Sequence, residues 1–120
     1  MSDISVTRTS GEHAEIIAVA GEIDIATYGQ LRAELIKAVD EGTGSVVVDM
    51  EGVGWIDSTG LGTLVGALKR ARDKHGTVQV AAAPGRIARH FQVTGLARLF
   101  GMHATVEVAL AITAEAEATP

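Results

Sequence analysis

The stretch Ser45-Val46-Val47-Val48-Asp49-Met50 constrains this chain more than any other. Three consecutive valines leave no polar alternation, so a strand built from them is covered on both faces and sits inside a sheet, not at its edge. Covering two faces takes helices, and the sequence supplies them in alternation with strands. After Gly21-Glu22-Ile23-Asp24-Ile25 the apolar period becomes helical, with Leu31, Leu35 and Val39 on one face, Thr27 as candidate cap and Glu41-Gly42 as stop. A loop over Glu51 to Asp57 then leads to a second helix, where Leu61, Leu64, Val65, Leu68 and Ala71 keep helical spacing. Lys69, Arg70, Arg72 and Lys74 gather at its C-terminal end, where they oppose the negative pole of the helix before His75-Gly76 stops it.

The chain opens with a hairpin: Ile4 and Val6 alternate up to Thr9, Ser10-Gly11-Glu12 turns, and Ala14 to Ala20 returns. Val78 and Val80 to Ala82 form another strand, and Pro84 begins a helix that carries Ile87 and Phe91 and ends near Gly95. The last segment admits two readings. Val106, Val108, Leu110 and Ile112 alternate like a strand, whereas Thr105 could cap a helix that buries Val106, Ala109 and Leu110. The expected fold is α/β: a mixed sheet with an opening hairpin, then parallel strands, with helices packed on it. With 120 residues, 47% of them hydrophobic, the expectation is one domain over residues 1–120, with an ordered core over about 4–112 and an Ala/Glu-rich tail, 113–120, that frays.

Composition removes several classes of function. Cysteine is absent, which excludes disulfides and thiolate metal sites. No window reaches the length of a membrane span and the first residues do not read as a signal peptide, so a cytoplasmic protein without a membrane partner is expected. Residues 1–57 hold eleven acids against three bases, and residues 58–120 four acids against seven bases, for a formal charge of −5 overall. With Tyr28, Trp55, Phe91 and Phe100 as the aromatic residues, direct nucleic-acid binding is not expected.

The densest chemical feature is Asp57-Ser58-Thr59-Gly60-Leu61-Gly62, at the entrance to the second helix. Its plainest explanation is capping, because Asp, Ser and Thr oxygens accept from unpaired N–H groups of a first turn. Capping does not account for Gly60 and Gly62, each of which costs a helix about 1 kcal/mol relative to Ala, and the expectation is that something approaches this turn closely. A dinucleotide is a poor candidate. The loose pattern of Gly60, Gly62 and Gly66 begins ten residues past Met50, and no acidic ribose ligand ends the strand at 77–82. No cofactor is expected. Serine catalysis fits no better, since His13, His75, His90 and His103 are scattered and no G-x-S-x-G surrounds Ser58; the same scatter argues against a metal site. A third reading makes Ser58 a substrate, because a hydroxyl at a helix N-terminus can receive a phosphate that the helix pole and free N–H groups tolerate.

Gly21-Glu22-Ile23-Asp24, the valine strand through Met50, Asp57-Ser58-Thr59-Gly60-Leu61-Gly62, and Val93-Thr94-Gly95-Leu96 before Leu99-Phe100 occur in an order that resembles the STAS domain of bacterial anti-sigma factor antagonists. The resemblance runs from about Ile4 to Ile112. It implies a four- to five-stranded sheet with about four helices mainly on one side, and it favours the helical reading of the last segment. It implies further that an anti-sigma factor serine kinase phosphorylates Ser58 with ATP. In that family the unphosphorylated antagonist binds the anti-sigma factor and frees a sigma factor of sporulation, stress or development; phosphorylation breaks the complex and a serine phosphatase restores it. The implied role is a switch, not an enzyme. Asp24, Asp57, Ser58, Thr59, Gly60, Leu61 and Gly62 are the expected partner-binding residues, although Asp24 could equally be a turn residue before Thr27 and Leu61 core. The alternative is a STAS interaction subunit of a signalling scaffold or transporter assembly. Trp55 replaces the smaller apolar residue or Phe common at that loop position, and alanines around Val108 replace a Glu-containing final helix.

Overall fold

The computed structural model describes residues 3–118, with side-chain surroundings through 116. The elements are β1 (Ile4–Ser10), β2 (Glu15–Ile23), α1 (Tyr28–Glu41), β3 (Val46–Ile56), α2 (Ser58–Asp73), β4 (Val78–Ala81), α3 (Gly85–Val93), α4 (Ala97–Phe100), β5 (Met102–His103) and α5 (Val106–Ala118). The five strands lie in sequence order, with β1 antiparallel to β2 and the rest parallel. This is the expected mixed sheet, with five helices among the described residues.

Burial follows strand alternation. Val46 and Val48 join the main core with Leu31 and Leu35 of α1, Leu64 and Leu68 of α2, and Ile87 and Phe91 of α3. Val47 points the other way and packs with Ala14, Ala81 and Ala109 of α5. The valine run is covered on both faces, by α1, α2 and α3 on one and α5 on the other, and Phe100 of α4 packs into the main core.

The loop expected over Glu51 to Asp57 is strand as far as Ile56. The second half of β3 pairs with β2, but Ala18↔Asp49 is followed by Ala20↔Gly52, and Gly21↔Val53 by Glu22↔Trp55. Each step leaves an extra residue on β3, the signature of a bulge. Gly52 lies at the first, where a Cβ would come within 2.7 Å of the Ala20 Cβ. Because of the bulges, Met50, Val53 and Ile56 face one core at a spacing of three instead of two. The charged and glycine-rich stretch therefore imitates a loop.

The last segment is helical, with Thr105 Oγ1 accepting from the Val108 N–H at 3.1 Å. The helix runs to Ala118. Within it Thr113 is buried, accepts from Gln79 Nε2 and donates to the Ala109 carbonyl at 3.0 Å. No helix of the described residues is long and apolar enough to cross a membrane.

Part of the basic cluster on α2 joins it to α1. Arg70 donates to both carboxylate oxygens of Asp40 at 2.9 and 2.7 Å, and Lys74 lies 3.6 Å from the same group. These hydrogen bonds, with the added attraction of both cations, hold the Asp40 carboxyl below its ordinary value of 3.8. A carboxyl lowered by folding stabilises the native state above its unfolded pKa and loses that contribution as pH falls through the folded one. Urea unfolding from neutral pH down through about pH 4 and below should show Asp40→Asn with a flatter loss of stability than wild type, by the modest amount expected of an exposed pair.

Candidate functional site

The two bulges bring β2 and β3 to a common end. Ile23 pairs with Ile56, and the Asp57 N–H donates to the Ile23 carbonyl at 3.1 Å, so the segments beginning at Asp24 and Asp57 leave the sheet side by side. Asp24 makes a turn: its Oδ1 accepts from the N–H groups of Ala26 and Thr27 at 2.9 and 3.2 Å. Thr27 stands where a cap for α1 was expected, but its hydroxyl donates to the Glu22 carbonyl at 2.6 Å and accepts from the Asp24 N–H at 3.0 Å. It locks the turn and does not cap the helix.

Asp57 is the cap of α2, with extended backbone and Oδ1 accepting from the Gly60 N–H at 3.0 Å. Ser58 follows as the first helical residue and is exposed. Among the described residues none hydrogen-bonds to its Oγ, neither a histidine nor a carboxylate. The hydroxyl stands at the positive pole of a 16-residue helix, where added negative charge is tolerated.

Two residues expected on this surface face inward. A Cβ on Gly60 would lie 2.6 Å from Ile23 Cγ2 and 2.8 Å from Ile56 Cγ1, so this glycine answers to the core beneath it. Leu61 is 6% exposed and belongs to the main cluster. Gly62 is the opposite case, exposed and with nothing within 4 Å of a built Cβ. With Thr59, Thr63 and Gly66 it borders a groove of about 370 Å³ between α1 and α2, whose other wall includes Ile25, Tyr28 and Arg32. Asp24, Asp57, Ser58, Thr59 and Gly62 are thus left at one end of the sheet, and Ile25, 71% exposed, joins them.

Trp55 is a strand residue, not a loop residue. It is 43% exposed and its ring meets His90 of α3 edge-on, with centroids 5.3 Å apart. Sequence reasoning missed this contact, since nothing local to either residue signals it.

A five-stranded mixed sheet with four helices against one face and a single helix on the other, and a serine opening the helix after the third strand, defines a STAS-type architecture. The family model for the STAS domain matches residues 5–109, and the chain belongs to that family. It is 31% identical over 106 residues to an anti-sigma-B factor antagonist of Staphylococcus aureus, covering 88% of this chain and 98% of that protein. The crystal structure of an anti-sigma factor antagonist from Mycobacterium paratuberculosis superposes with a TM-score of 0.83 at 25% identity, covering 92% of this chain and 94% of that one. The Bacillus cell fate determinant SpoIIAA, solved in its phosphorylated form, shares the fold with a TM-score of 0.69 at 23% identity over 89% of this chain and 97% of that one.

The glycines give a paired test. Gly60→Ala should lose about 1–3 kcal/mol of stability to overpacking, whereas Gly62→Ala, with open space around it, should gain about 0.5–1 kcal/mol. Chemical denaturation of both variants checks the contrast, and equal effects would contradict it.

Proposed function

We propose that this chain is an anti-sigma factor antagonist that works by partner switching, with Ser58 as its phosphorylation site. The unphosphorylated form binds an anti-sigma factor kinase in the cytoplasm and releases a sigma factor. The kinase moves the γ-phosphoryl group of ATP to Ser58 Oγ as the hydroxyl gives up its proton and ADP leaves; a serine phosphatase uses water to return the hydroxyl and inorganic phosphate. The chain is substrate and switch in this scheme and catalyses neither step.

One observation carries the reading: an exposed, unengaged Ser58 hydroxyl at the first residue of α2, beside Asp24 and Asp57, in a chain of this family. The name of the S. aureus relative supports the regulatory class. Physically, the phosphate rests easily on the free chain, because the helix pole favours it. The cost falls on the complex, where a group of about −2 charge must be desolvated next to carboxylates. A penalty of about 4 kcal/mol weakens binding about a thousandfold.

Incubation with ATP and the anti-sigma factor kinase should add one phosphate that maps to Ser58. Ser58→Ala should abolish the modification and keep binding, and Ser58→Asp should weaken binding at least about tenfold. Wild-type affinity in Ser58→Asp, measured by titration calorimetry, would sink the electrostatic switch.

A further inference from the structure

Helix α3 has a face that the core does not use. Ile87 and Phe91 are fully buried on one side. On the other, Arg86, Arg89, His90 and Val93 fall at i, i+3, i+4 and i+7, a single stripe. Both arginines are exposed, and Val93 is 77% exposed. Arg8 and Arg70 are held by carboxylates, whereas among the described residues neither Arg86 nor Arg89 has an ion-pair or hydrogen-bond partner. None lies nearby in sequence, since no Asp or Glu occurs between Lys74 and Glu107. A chain of formal charge −5 thus carries a local basic stripe.

The stripe is joined to the strand that delivers Ser58. Arg86 Nη2 lies 4.0 Å from the Cβ position of Gly54, and His90 packs edge-on against Trp55, three residues before Ser58. Unpaired guanidinium groups bind carboxylates bidentately. Half-exposed Trp and Arg beside an apolar side chain match the composition of protein docking sites. A lipid surface suits the stripe less well, because one valine gives little to insert and the acidic remainder of the chain is repelled by an anionic leaflet.

We propose that the arginine face of α3 docks an acidic segment of a protein partner, anchored by an apolar residue against Val93 and Trp55, and that negative charge added at Ser58 acts by reducing this attraction. The inference takes partner switching at Ser58 as its setting and adds a second contact with defined chemistry.

The test uses the full chain, labelled with nitrogen-15, and a synthetic helical peptide carrying a glutamate stripe bordered by leucines. Its lysine analogue and vesicles of phosphatidylserine with phosphatidylcholine serve as competing probes. The acidic peptide should shift the amides of Arg86, Arg89, His90 and Val93 and the Trp55 indole. Its affinity should fall about tenfold from low to physiological salt. Arg86→Glu combined with Arg89→Glu should lose at least about tenfold, the paired Gln variants should lose less, and Ser58→Asp should lose severalfold. Shifts confined to other elements, equal binding of the lysine analogue, or stronger perturbation of the same residues by vesicles would overturn the proposal, the last in favour of a lipid surface. The assay contains no kinase, so the two readings fail separately: a silent Ser58 in the phosphorylation assay leaves the peptide result standing, and a silent peptide leaves Ser58 untouched.

Discussion

Everything in this fold hangs on a strand that water touches on neither face along its first three residues. Val46 and Val48 need α1, α2 and α3 on one side and Val47 needs α5 on the other. Burying these side chains removes apolar area worth about 25 cal/mol per Å², and the same requirement places β3 in the middle of the sheet and forces parallel crossovers around it. The two faces are unequal. Against the small residues Ala14, Ala81 and Ala109 the second core is thin, and it is supplemented by the Gln79–Thr113 contact that anchors α5.

Where the period of burial was regular, the chain was legible. Leu31, Leu35 and Val39 mark α1, and Ile87 and Phe91 mark α3, because a helix buried on one face repeats every three to four residues. Legibility failed where tertiary contact overrides the local period. The bulges at Gly52 and beyond Val53 shift the inward residues of β3 by one each, so no alternation survives in Glu51 to Ile56 and a strand passes for a loop. Thr113 failed for a related reason. A threonine in an alanine-rich tail says nothing until Gln79, on a strand 34 residues earlier, is seen to meet it.

The site was legible in part. Asp57 and Ser58 fall on a helix entrance, and capping chemistry alone places them there. The glycines could not be sorted without coordinates, because Gly60 and Gly62 look alike in a string of letters. One is small because Ile23 and Ile56 crowd it, and the other is small over an open groove. The exposed part of the α2 entrance is therefore narrower than its motif, and Ile25, which no motif links to it, joins it across the groove.

The surplus residues of β3 have one more consequence. With 11 residues against the 9 of β2, the strand reaches the same finishing line as its shorter neighbour only because two of its positions are looped out of the pairing. In that span Met50, Val53 and Ile56 must stay apolar and Gly52 must stay small, because a Cβ there would come within 2.7 Å of the Ala20 Cβ. Losing one looped-out position would straighten the strand locally and leave Ile23 opposite Ile56, because residues beyond a bulge take the face of their β2 partners. Heredity is therefore held to the spelling of this stretch more tightly than to its length.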